Sequence, residues 1–121
     1  MQVEAFLLKS VALLPEKIAL VCEGRRLTYR WIEEQSNRLA SGFTRTGIKH
    51  GDRVAVCLDN SIDAVLSIFA ILKVGAVLVM LNPSMGLEKF SRILNDAGCQ
   101  MLVAKPARFK DVQSGIKTAA V

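Results

Sequence analysis

Ile71 to Pro83, reading I-L-K-V-G-A-V-L-V-M-L-N-P, joins the end of an amphipathic helix to a wholly apolar run through a single glycine. Together with the residues before it, Ala64 to Leu81 makes eighteen residues whose one charge is Lys73, close to the length of a minimal membrane span. Two features divide that stretch. A charge in the middle of a span costs about 2.5–3.5 kcal/mol on insertion scales, and Gly75 stands where a glycine ends a helix. Division leaves Ala76 to Leu81 as a continuous apolar run of strand length, the pattern of a parallel strand covered on both faces.

The same alternation extends outward in both directions. Upstream, Gly51-Asp52 makes a turn, Val54 to Leu58 a strand, and Asp59-Asn60-Ser61 a helix start whose side chains suit orphan amides, so that Ser61 to Val74 is predicted helical. Downstream, Asn82-Pro83-Ser84 is loop, Leu87, Phe90, Ile93 and Leu94 share a helical face ending at Gly98, and Met101 to Ala104 is a further core strand. Strands alternating with helices predict right-handed crossovers and an α/β fold, a doubly wound, mainly parallel sheet with flanking helices. After Pro106 the pattern weakens, and Ala107, Val112, Ile116 and Ala120 leave room for one last helix. The reading is one domain over residues 1–121, with residues 105–121 as a weakly patterned C-terminal segment.

The N-terminal third differs in kind. Val3, Leu7, Val11 and Leu14 recur on one helical face that Pro15 ends. Ile18 to Cys22 and Arg26 to Thr28 flank Glu23-Gly24-Arg25, which predicts a β-hairpin. Thr28 then serves as N-cap for a helix burying Ile32, Leu39, Ala40 and Phe43, with Gly47 as the left-handed residue beyond its end.

Composition bounds the partners. The chain has 121 residues, 51% hydrophobic and 22% charged, enough to bury a continuous core. Its formal charge of +5 comes from sixteen Lys and Arg that are scattered, apart from Lys105, Arg108, Lys110 and Lys117. A solvated basic surface accounts for that, and for the last four a solvated helix face, although they could also meet the phosphates of a CoA-type substrate. Nucleic-acid binding wants a basic stripe with interleaved aromatics, which is missing. Cys22, Cys57 and Cys99 are odd in number and lack C-x-x-C spacing, so they read as reduced packing residues. The N-terminus carries no basic region before its apolar stretch, which argues against a secretory signal and for a cytoplasmic location.

Candidate chemistry is sparse. Neither G-x-x-x-x-G-K-[ST] nor G-x-G-x-x-G occurs, His50 is the one histidine and reads as an exposed loop residue, and no G-x-S-x-G elbow is present. Asn60 and Ser61 follow a strand's C-terminal end, where ligands bind in open α/β sheets, but helix capping explains them equally. Asn82 and Pro83 read the same way, as turn former and stiffener. No catalytic, cofactor-binding or metal-binding residue is assigned.

Three motifs in order carry a resemblance. Leu27-Thr28-Tyr29 opening a helix, Gly51 to Val56 (G-D-R-V-A-V) entering a strand, and the Leu72-Lys73-Val74-Gly75 junction resemble the AMP-forming acyl-CoA synthetase and adenylation-domain family, over roughly Pro15 to Ala104. The chain departs from that pattern at Met80 and His50, where proline is common, and at Trp31, which replaces a common glutamate. Losing that glutamate removes a capping box with Thr28, at a cost of a few tenths to about 1 kcal/mol. The resemblance implies the N-terminal subdomain of an enzyme that activates a carboxylic (fatty) acid with ATP to an acyl-adenylate and passes it to CoA. A peptide-synthetase adenylation domain, or a stand-alone binding module, are the alternatives. ATP, CoA and Mg2+ are implied for the parent enzyme and none for this chain alone, which lacks the family's Ser/Thr/Gly-rich phosphate loop and is expected to be inactive by itself. Its expected partners are the remainder of that parent and, for the isolated chain, a second copy, since apolar surface left uncovered predicts a dimer.

Overall fold

Val54, Val56, Met101 and Val103 point to one side of a sheet, and Ala55, Cys57, Leu102 and Ala104 to the other; all are buried. The computed structural model, which describes residues 3–106 and 116–120, explains why both sides need apolar residues. Four strands, β3 (Arg53–Cys57), β4 (Val77–Met80), β5 (Met101–Ala104) and β6 (Lys117–Ala120), pair in parallel in the order β4-β3-β5-β6. Helices α2 (Tyr29–Thr46) and α3 (Ile62–Lys73) cover one face through Ala40, Phe43, Ala70 and Ile71. On the other lies α4 (Leu87–Asp96), through Phe90 and Leu94. The doubly wound α/β architecture expected from the alternation is what the chain forms.

Ala64 to Leu81 divides as expected. α3 ends at Lys73, Gly75 takes φ +74°, and β4 begins at Val77. Among the described residues no helix is long and apolar enough to cross a membrane. Lys73 is not solvated but bonded, at 2.8 Å, to Glu33 of α2, with both side chains only 13–14% exposed. The charge that argued against a membrane span is a tie between two helices.

β1 (Ile18–Cys22) and β2 (Arg25–Thr28) form the antiparallel hairpin, with Glu23 and Gly24 both at positive φ, as a two-residue primed turn requires. Thr28 Oγ1 accepts from Trp31 N at 3.1 Å, so the N-cap forms without its glutamate, and Trp31 instead carries the Arg25 guanidinium over its ring. Gly47, at φ +100°, closes α2. The hairpin and α1 (Val3–Leu13) share a smaller core of Leu7, Leu27, Ile32 and Ile62.

Two expectations are corrected. Leu14 does not share the buried face of α1: the helix stops at Leu13 and Leu14 is 50% exposed. No last helix includes Ala120, because Lys117–Ala120 is a strand laid along the open edge of β5; backbone pairing overrides a weak helical pattern. Ile116 packs on the α4 side, while Ala107 and Val112 lie outside the described residues.

Candidate functional site

In an open α/β sheet ligands bind outside the C-terminal ends of the strands, at the point where the strand order reverses. In the order β4-β3-β5-β6 that point falls between β3 and β5, since the chain steps from β3 out to β4 and then back across to β5. A cleft of about 490 Å3 lies one strand over, lined by Leu58, Asp59 and Asn60 after β3 and by Met80 to Pro83 at the end of β4. A second concavity of about 350 Å3 shares Leu58, Asp59, Asn60 and Pro83 with it and extends towards Lys105 after β5, Asp63 of α3 and Glu23 of the hairpin turn.

Local chemistry places these residues. Ser61 Oγ accepts from Ala64 N at 3.1 Å, so Ser61 is the cap of α3. Asn82 Oδ1 accepts from Ser84 N at 2.9 Å and Ser84 Oγ at 2.7 Å, which makes it the turn former that ends β4. Capping and turn formation are therefore real roles, yet the fold also brings Asn60 and Asn82 to one cleft. That meeting was not visible from either segment alone. Its signal was the C-terminal ends of two strands, β3 and β4, that pair side by side in parallel.

Lys105 aside, the other weighed residues stand apart from the cleft, with one exception. His50 is exposed at the opposite end of the sheet, where its ring lies so close to Gly75 that a Cβ there would run into Cδ2. Cys99 is buried before β5; burial pushes its thiol pKa up, against a smaller lowering by Arg53. Cys57, also buried, is the exception and lines the second concavity. Lys117 departs from the expected solvated helix face: it sits on β6 and donates to Thr46 O at 2.6 Å, at the C-terminal end of α2. Arg108 and Lys110 lie outside the described residues.

The trough is acidic on balance, with Asp59, Asp63 and Glu23 against Lys105. Carboxylates beside the start of α3 oppose the binding of a phosphate there, and no glycine stands between Asp59 and Ser61 to let backbone amides approach an anion. A nucleotide triphosphate does not fit these residues. Among the described residues no group of three His, Cys, Asp or Glu is placed to hold a metal ion.

Comparison with known proteins supplies what the site does not. The sequence pattern of the AMP-binding enzyme family matches residues 7–120. The chain is 37% identical over 97 residues to a plipastatin synthase of Bacillus subtilis, covering 80% of the chain and 4% of that relative. Over 73 residues it is 37% identical to the 3-oxocholest-4-en-26-oate–CoA ligase of Rhodococcus rhodochrous, covering 60% of the chain and 13% of the relative. In three dimensions it superposes on the O-succinylbenzoate coenzyme A synthetase of Bacillus subtilis, solved with AMP, with a TM-score of 0.90 and 25% identity over 95% of this chain and 30% of that one. It thus spans well under a third of the relatives it matches in sequence. With the parallel sheet, the hairpin and the three ordered motifs in place, the chain belongs to the AMP-binding enzyme family, and its fold is that of the adenylate-forming enzymes.

Proposed function

We propose that these residues are the N-terminal scaffold of an ATP-dependent ligase that converts a carboxylic acid to an acyl-adenylate and then transfers the acyl group to the thiol of CoA. The observation that carries this reading is the family match across residues 7–120, and the mainly acidic lining of the second concavity, which disfavours a phosphate, supports a scaffold role. A subdomain of this kind supplies sheet and helices against which the ATP-handling part of the enzyme is built. Leu81-Asn82-Pro83, reading L-N-P rather than L-D-P, resembles acyl-CoA ligases more than peptide-synthetase adenylation domains and supports CoA as acceptor.

A second reading has its own support. Relatives in this family are mostly nonribosomal peptide synthetases, the plipastatin synthase among them, and favour an amino acid as the acid and a carrier protein as the thiol. Pyrophosphate exchange into ATP, measured on the gene product that contains these residues against fatty, aromatic and amino acids, tests the shared chemistry. Thioester formation with CoA or with a phosphopantetheinyl carrier separates the two acceptors. Absence of exchange with every acid overturns the ligase reading. Exchange by residues 1–121 alone overturns the scaffold reading while leaving the ligase in place.

A further inference from the structure

α3 is apolar on every side. Ala64, Ala70 and Ile71 turn into the main core, and Ile62, Leu66 and Phe69 into the smaller core shared with α1 and the hairpin. At about 100° per residue, Val65, Ile68 and Leu72 fall within about 60° of one another in the sector that remains. All three are partly exposed, and among the described residues they join none of the three cores. That sector points away from α2, because Lys73, bonded to Glu33, stands about 80–140° round the helix from it. The helix carries charge only near its ends, at Asp63 and Lys73, and a helix that is hydrophobic all round is a buried helix.

We propose, granting the ligase reading, that Val65, Ile68 and Leu72 are the seat of an apolar face from the part of the parent enzyme outside residues 1–121, so that α3 is an interior helix of the whole protein. The sector continues a contact already made. The hairpin and α1 cover Ile62, Leu66 and Phe69, and the uncovered residues are the next ones round the same helix. The length of the missing chain points the same way: the fold described here matches 30% of the O-succinylbenzoate coenzyme A synthetase chain, so most of that relative is further polypeptide. With no charge on it, the sector offers nothing to an anionic surface or a nucleic acid and calls for apolar side chains.

Cysteine labelling tests the seat. I68C and L72C are each placed in the 121-residue chain and in the gene product that contains these residues, treated with a maleimide, and followed by the mass of the modified peptide. With circular dichroism unchanged by either substitution, both sites should label at least about tenfold more slowly in the gene product. Equal rates in the two proteins overturn the proposal. So does slow labelling of the 121-residue chain that speeds on dilution, because a second copy then occupies the sector. Pyrophosphate exchange on the same gene product keeps the two failures apart: equal labelling with exchange leaves the ligase and removes the seat, and slow labelling without exchange for any acid does the reverse.

Discussion

β5 and β4 are the two neighbours of β3 and are built from the same kinds of residue, yet they live in opposite surroundings. Met101, Leu102, Val103 and Ala104 are at most 1% exposed, whereas Val77 and Met80 are 47% and 53% exposed. β5 lies between β3 and β6 and under helices on both faces; among the described residues β4 has a strand on one side only. Its inward amides are satisfied, Val77 N by Asp52 O at 2.7 Å and Leu81 N by Val56 O at 2.9 Å. In a parallel ladder the alternate residues, Leu78 and Met80, direct their amides to the open edge. A continuous apolar run gives a strand the capacity for burial, and its neighbours decide how much of that capacity is used.

Truncation is the strongest way to break this contrast. Leu102→Ala removes a fully enclosed side chain and is expected to cost about 3–4 kcal/mol, transfer and cavity together. Leu78→Ala, on a half-buried position, is expected to cost less than about 1.5 kcal/mol, because water already reaches part of it. Urea midpoints at unchanged slope measure both. Equal losses would mean that β4 is as enclosed in solution as β5.

The next effect concerns how the exposed strand is held. α3 delivers the chain to β4, and Lys73 fixes α3 to α2 through Glu33. Replacing Lys73 by Ala strands Glu33 with little solvent around it and is expected to cost about 2–3 kcal/mol, less than for a fully dry pair. Replacing both, as Lys73→Met with Glu33→Leu, is expected to recover most of that loss. A double-mutant cycle by thermal unfolding measures the recovery; additive losses would show that the pair does not couple the helices. At the junction itself, Gly75→Ala is expected to cost about 1–2 kcal/mol from its left-handed φ, with the exposed His50 ring swinging clear of the new Cβ.

The same contrast explains what the sequence could and could not disclose. Gly75 and Lys73 were enough to divide Ala64–Leu81 into helix and strand, because both are incompatible with an uninterrupted apolar helix. Ser61 and Asn82 were legible as cap and turn, since those bonds close within three residues. Which strand would stand at the edge was not legible, because strand order is set by crossovers and not by the composition of any one run. Lys117–Ala120 was misread for a related reason: its helical spacing is weak, and what makes it a strand is the free edge of β5. The cleft uniting Asn60 with Asn82 needed the sheet order before it could be seen at all.

The smallest expected effect distinguishes the two ends of β5 by pH. Cys99 sits just before the strand, and burial raises its thiol pKa in the folded state, with Arg53 offsetting part of the rise. Below the ordinary thiol value both states hold the proton, and the native state loses nothing. As pH climbs past that value the unfolded thiol ionises first, so the unfolded state binds fewer protons and stability falls, until the pH has passed through the raised folded value. Cys99→Ala leaves all other alkaline titrations in place and removes this one. The difference in unfolding free energy between wild type and Cys99→Ala should therefore be flat through neutral pH and shrink in the alkaline range. A difference that stays constant there would show that water reaches the Cys99 thiol in the native state, placing the start of β5 nearer in kind to β4 than to the buried strand it opens.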